Sequence, residues 1–154
     1  MKSKLELKIP PVLVTILFVI LMWLFSMLLP GIQISAQFKM LVCVVLAGVG
    51  AFFSVAAVLS FRKASTTVNP ITPEACSSLV ISGVYKVTRN PMYLGLWLFL
   101  LAWGLFLSNL YSLVLSAGFV LYMNRLQIQP EEKALEACFG AEYLAYKNQV
   151  RRWL

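Results

Sequence analysis

The residues able to do chemistry in this chain are few. Its six acids are all glutamates: Glu6, Glu74, Glu131, Glu132, Glu136 and Glu142, with no aspartate and no histidine. That removes Ser–His–Asp triads, Cys–His nucleophile pairs and most zinc sites, so no metal centre is expected. The cysteines Cys43, Cys76 and Cys138 form no CxxC pair and read as reduced and structural. What remains is glutamate, arginine, tyrosine, asparagine, the backbone, or a bound cofactor.

Three clusters stand out. The first runs Gly83-Val84-Tyr85, then Arg89-Asn90-Pro91-Met92-Tyr93-Leu94-Gly95. Proline pushes the preceding Asn90 out of the helical region and suits the first helical position itself. A helix N-terminus beside Arg89 is a ready anion site, with Met92, Tyr93 and Leu94 supplying free backbone N–H groups. Gly95 would let a ligand or a neighbouring helix approach the backbone. The plainer reading is a capped membrane helix with a snorkelling arginine. The second cluster is Pro130-Glu131-Glu132, beside Asn124 and Arg125. The acids suit a first helical turn. Together with the arginine they could also bind a cationic amine or orient a polar substrate, which makes Arg125 and Glu132 the candidate catalytic pair. The third is Gly48-Val49-Gly50, small residues that most often permit close helix packing.

These clusters sit in a chain of 154 residues that is 60% hydrophobic and 12% charged, with a mean hydropathy of +0.83. Soluble proteins carry roughly 25% charged residues, so a soluble globule and a disordered chain are both excluded. No charge lies between Lys8 and Lys39, between Lys39 and Arg62, or between Arg89 and Arg125. A spanning helix needs about 20 apolar residues. The first two gaps each hold one span, near 11–29 and 40–61. The third is too long for one helix, and Leu107-Ser108-Asn109 offers a turn, giving short spans near 92–106 and 111–128. The first span is too long for a signal-peptide core and reads as an uncleaved anchor. No central charge marks an ion pathway, which argues against a proton-coupled transporter.

Charge placement sets the expected orientation. Lys2, Lys4 and Lys8 precede span one, Arg62, Lys63, Lys86 and Arg89 lie between spans two and three, and Arg125, Lys133, Lys147, Arg151 and Arg152 border or follow span four. Only Lys39 falls on the other side. The positive-inside rule then predicts both termini and loop 62–90 to be cytoplasmic, in the inner membrane if the host is bacterial. The net charge of +7 suits anionic lipid headgroups and requires no nucleic acid. Residues 129–154 form an amphipathic segment in which Leu135, Cys138, Phe139, Leu144 and Val150 can share an apolar side, broken near Gly140. It reads either as a helix on the bilayer surface or as a lid on the ends of the spans.

The strings GVYKVTRNPMYLG and EEKALEACFGAEYLAYKNQVRRWL, with a hydrophobic hairpin between them, resemble the isoprenylcysteine carboxyl methyltransferases and the related phospholipid N-methyltransferases. The resemblance runs from about Phe61 to the C-terminus. It implies S-adenosylmethionine as cofactor, held at the cytoplasmic ends of the last spans under the C-terminal segment. It places Arg89, Asn90, Pro91, Tyr93 and Gly95 on the cofactor side and matches Glu131 and Glu132 to an acidic pair associated with cofactor binding. Gly48 and Gly50 match a glycine pair of the phospholipid branch only loosely. Many prenylcysteine enzymes carry histidine after the motif arginine, where this chain has Asn90. Methyl transfer from a sulfonium needs neither metal nor histidine, only alignment and exclusion of water.

The expectation is therefore an all-α integral-membrane protein, one domain over 1–154 with about four transmembrane helices and a cytoplasmic C-terminal lid. It would methylate a lipophilic acceptor entering from the bilayer, with membrane lipids as its surroundings. The rivals are a phospholipid-amine methyltransferase, an NADPH-dependent reductase of the steroid-reductase type, and a non-enzymatic helical scaffold or transporter subunit.

Overall fold

A computed structural model describes residues 7–64 and 78–154. The described residues form helices and turns and no strand: α1 (Pro11–Leu28), α2 (Ala36–Lys63), a 3₁₀ turn (Gly83–Lys86), α3 (Pro91–Phe106), α4 (Leu110–Met123), a π-helical turn (Asn124–Ile128) and α5 (Gln129–Gln149). The stretch of the 62–90 loop that holds Glu74 and Cys76 lies outside the described residues, as do Lys2, Lys4 and Glu6.

Proline starts two of these helices. Pro11 and Pro91 each occupy the first turn, where a missing N–H costs no hydrogen bond. Asn90 stands outside the helical region at φ −130° and ψ 56°. α2 begins four residues before the expected position at 40, because Lys39 does not interrupt it. Its Nζ donates to Ser108 Oγ at 3.0 Å and lies 5.8 Å from the centre of the Phe106 ring, so the charge is partnered at the end of the bundle.

The hairpin between α3 and α4 turns at Leu107-Ser108-Asn109, as the sequence predicts. Ser108 adopts φ 52°. The buried Asn109 caps α4 by accepting from Ser112 N at 2.9 Å, and its Nδ2 donates to Leu29 O at 3.1 Å and Pro30 O at 3.3 Å. One side chain thus ties the hairpin to the end of α1.

The main core joins Val14, Phe18 and Met22 of α1 to Tyr93 and Leu100 of α3 and to Phe119 and Met123 of α4. Phe18 meets Phe119 edge-on at 5.8 Å. α2 lies against α3 through a glycine contact: a Cβ on Gly95 would come 2.6 Å from Gly50 O and 2.1 Å from Ser54 Oγ. Gly48 has nothing within 4 Å of its would-be Cβ and faces away. α1 and α2 are long and apolar enough to cross a membrane. They turn side chains such as Leu13, Leu17, Val44 and Phe52 outward, half or more exposed, where a soluble protein would place polar groups.

The last span departs from expectation. The α-helix ends at Met123, and the chain passes through the π-helical turn into α5, which begins at Gln129, without an intervening loop. Pro130 explains the widening, since it cannot donate to a carbonyl one turn back and its ring crowds that position. The tail packs against other described residues rather than standing apart. Tyr143 and Tyr146 pack with Ala57, Val80 and Tyr85 in a second core, with Leu135, Phe139 and Val150 against them. Cys138 and Leu144, expected on the same apolar side, are exposed. Gly140, at φ 52° and ψ −122°, breaks the helical phase there and brings the tyrosines inward instead.

Candidate active site at the polar end of the bundle

The start of α3, the π-helical turn and the last residues of the chain meet at one end of the bundle. Glu131 and Glu132 are consecutive in a helix, so their side chains diverge by roughly 100°, and they enter different surroundings. Glu131 Oε1 accepts from the Tyr93 hydroxyl at 2.5 Å and from Gln127 Nε2 at 2.6 Å. Among the described residues no cation pairs with it, and burial pushes its carboxyl up to about 7, partly offset by the bonds from Tyr93 and Gln127.

Glu132 is paired instead with two guanidinium groups. Arg152 donates through Nε to Oε1 at 3.0 Å and through Nη2 to Oε2 at 2.7 Å, a two-pronged contact. Arg89 Nη2 stands 3.4 Å from Oε1. The side chains of Glu132 and Arg89 are only 8% and 10% exposed. Glu132 and hydrogen bonding to it raise the pKa of Arg152, which stays charged. Tyr143 lies beside this group. Burial and then the charge of Glu132 push its hydroxyl up to about 12, and Arg89 opposes the rise.

Arg89 itself is incompletely satisfied. Its Nε and Nη1 are buried and have no hydrogen-bond partner among the described residues. A buried donor left unpaired costs about 1–3 kcal/mol. The two donors lie on different sides of the guanidinium, and either can donate to an oxygen of an anion. The site therefore fits the amino-acid end of S-adenosylmethionine: a carboxylate for Arg89 and an ammonium for an acid without a cation of its own, which is Glu131.

The C-terminal residues Arg151–Trp153 close this end. Arg89 N donates to Arg151 O at 3.0 Å, and Arg152 O accepts from Asn90 Nδ2 at 2.9 Å and Thr88 Oγ1 at 3.2 Å. Trp153 Nε1 donates to Asn124 Oδ1 at 3.0 Å, and its ring meets Trp97 edge-on at 6.0 Å.

The structure thus gathers Arg89, Asn90, Pro91, Tyr93, Glu131 and Glu132. It separates two other candidates. Gly95 is turned to α2, so of its two possible uses the neighbouring helix takes it. Arg125 is exposed. Seven residues of regular α-helix would return it to the face of Glu132, but the π-helical turn inserts about one residue, a rotation of roughly 100°. Leu94 N is also taken, by Asn90 O at 2.9 Å, so the free amides of the first turn reduce to those of Met92 and Tyr93. The sequence reading missed Arg152, Gln127 and Tyr143. Their signal was the position of RRWL at the end of an otherwise amphipathic segment, which charge counting assigns to the membrane surface.

A family model described as phospholipid methyltransferase matches residues 38–142. An uncharacterised protein of Haemophilus influenzae is 51% identical over 63 residues, 41% of this chain and all of that one. A protein-S-isoprenylcysteine O-methyltransferase of Saccharomyces cerevisiae is 40% identical over 72 residues, 47% of this chain and 30% of that one. Protein-S-isoprenylcysteine O-methyltransferase A of Arabidopsis thaliana is 31% identical over 102 residues, 66% of this chain and 52% of that one. The chain thus spans less than a third and about half of these two methyltransferases.

Proposed function

This chain belongs to the phospholipid methyltransferase family, and we propose that it transfers a methyl group from S-adenosylmethionine to a lipophilic acceptor at the cytoplasmic face of a membrane. The observation that carries the proposal is the buried Arg89 guanidinium with two donors unpartnered among the described residues, in a site that also holds Glu131, a carboxyl group with no cation among those residues.

When bound, S-adenosylmethionine supplies an electrophilic methyl group together with its own leaving group. The chain's residues have three tasks. Arg89 pairs with the cofactor's carboxylate. Glu131, steadied by Tyr93 and Gln127, accepts its ammonium. α5 and the C-terminal residues cover the site and exclude water, which strengthens both contacts. Glu132 is saturated by two arginines and organises them rather than meeting the ligand.

In this reading four helical segments cross the bilayer, with both termini on the cytoplasmic side. α4 joined to the π-helical turn runs from Leu110 to Ile128, about 28 Å at 1.5 Å per residue, close to the hydrocarbon thickness of about 30 Å. α3 is shorter and starts at the interface with Arg89. The acceptor enters sideways between the spans, its polar end meeting the methyl group. The S-isoprenylcysteine O-methyltransferase names of two relatives favour a carboxylate of the prenylcysteine type. The family match favours a second reading, a phosphatidylethanolamine-type amine. An ammonium acceptor must first lose a proton, and a carboxyl with a pKa of about 7 is a suitable recipient.

The test is a titration of S-adenosylmethionine into detergent-purified protein. The parent should bind. Arg89→Ala should weaken binding by about 1.5–3 kcal/mol, and Arg89→Lys by less, because lysine keeps the charge and loses the fork. No binding by the parent, or parental affinity in both variants, overturns the assignment. Transfer of labelled methyl to a prenylcysteine analogue or to phosphatidylethanolamine vesicles separates the two acceptors.

A further inference from the structure

Two guanidinium groups compete for one buried carboxylate. Glu132 can satisfy only one in the two-pronged geometry, which is the strongest available to the pair. Arg152 holds that geometry at 3.0 and 2.7 Å, while Arg89 keeps a single 3.4 Å approach and two bare donors. Arg89 is the more deeply buried of the two, with a side chain 10% exposed against 31% for Arg152. Left to burial alone, the deeper arginine should win the acid.

Arg152 takes the acid because the backbone delivers it there. Its carbonyl is held by Asn90 and Thr88, the preceding carbonyl by the amide of Arg89, and the following Trp153 by Asn124. The side chain of residue 152 therefore leaves a fixed point beside Glu132. Without it, Glu132 would be a buried carboxylate with Arg89 as its remaining charged neighbour, and leaving such a charge unpaired is costly.

We propose that Arg152 is a positioning residue: by occupying the fork of Glu132 it keeps Arg89 from closing onto that acid with Nη2 and a second donor, and so leaves both Nε and Nη1 free to donate, one of them to the cofactor's carboxylate. The inference rests on the cofactor reading above, and it assigns the extreme C-terminus a part in ligand binding that a mere cover would not have.

Arg152→Lys is the decisive variant, since it keeps the charge and cannot form the fork. S-adenosylmethionine titrated into Arg152→Lys should bind about tenfold more weakly than to the parent, the scale of one charge-assisted hydrogen bond. Adding Glu132→Gln to Arg152→Lys should recover affinity, because a neutral amide no longer draws Arg89 inward. Parental affinity in Arg152→Lys, or no recovery in the double variant, overturns the inference.

A thermal-unfolding cycle needs no ligand. Arg89→Gln and Glu132→Gln should already be coupled in Tm in the parent, where Arg89 Nη2 stands 3.4 Å from Glu132 Oε1. The coupling should be clearly larger in the Arg152→Lys background, where Arg89 can close onto the acid. If the parent fails to bind S-adenosylmethionine, the cofactor reading falls and this cycle still decides: equal coupling in both backgrounds overturns the role of Arg152.

Discussion

The Tyr93 hydroxyl and Glu131 Oε1 are 2.5 Å apart, and the acid they define is chemically unlike its neighbour. Glu132 is matched to guanidinium groups, whereas Glu131 is matched to a phenol and an amide. One step along a helix separates an acid paired with guanidinium groups from one whose pKa burial raises to about 7. Accepting a proton suits the second kind, and binding a ligand's ammonium requires it in its ionised form.

The first prediction concerns stability against pH. The carboxyl of Glu131 is raised by burial from an ordinary 4.5 to about 7. The folded chain then holds its proton more tightly than the unfolded chain does. The resulting stabilisation is complete below about pH 4.5 and is lost as pH rises through about 7, at most about 3 kcal/mol for a gap of this size. Thermal unfolding without ligand should show Tm falling between these limits, after subtraction of the profile of Glu131→Gln. If the parent and Glu131→Gln trace the same curve, the acid does not titrate where its burial implies.

The second prediction follows from the same group with the opposite sign. An ammonium ligand needs Glu131 ionised, so S-adenosylmethionine affinity should rise with pH toward about 7 and level off above it. Below that point the loss should approach about tenfold per pH unit. The Tyr93 hydroxyl bond favours the charged form, so Tyr93→Phe should move the midpoint upward. A pH-independent Kd in the parent would remove Glu131 from the ligand site.

The positions of charge and proline made much of this legible in advance. Uncharged runs bounded by Lys8, Lys39, Arg62, Arg89 and Arg125 located the helices, and Leu107-Ser108-Asn109 located the hairpin turn. The Arg89 motif and the glutamate pair do meet in space. The errors came where helical phase changes. A regular helix through 124–132 brings Arg125 to Glu132, and only a π-helical turn removes it. Gly140 likewise exchanges Cys138 and Leu144 for Tyr143 and Tyr146. Arg152 was hidden for a different reason. A basic residue near a terminus counts toward topology by its charge, and its pairing with Glu132 depends on long-range backbone contacts that no local pattern encodes.

The third prediction concerns topology. The site end of the bundle carries Arg89, Arg151 and Arg152, and the opposite end carries Lys39 with Asn109. By the positive-inside rule the arginine and lysine asymmetry predicts a cytoplasmic site end. Reporter fusions at the C-terminus should report cytoplasmic, and a fusion in the 107–109 turn should report the other side. A C-terminus outside would break the four-span arrangement.

The fourth prediction separates the packed glycine Gly95 from the open glycine Gly48. Gly95 and Gly50 face each other across α2 and α3, and a Cβ on Gly95 would meet Gly50 O at 2.6 Å and Ser54 Oγ at 2.1 Å. The serine can rotate or be removed, but the carbonyl belongs to the backbone of α2, so the helices must separate. Gly95→Ala should cost about 1–3 kcal/mol, as overpacking does, and Ser54→Ala should not restore it. Gly48 has nothing within 4 Å, so Gly48→Ala should be neutral or slightly stabilising, by up to about 1 kcal/mol from helix propensity. Thermal unfolding of the three variants in one detergent decides the matter. If Gly95→Ala unfolds like Gly48→Ala, the close crossing is absent. Loss of cofactor affinity in Gly95→Ala with Tm unchanged would mean instead that the glycine faces the ligand.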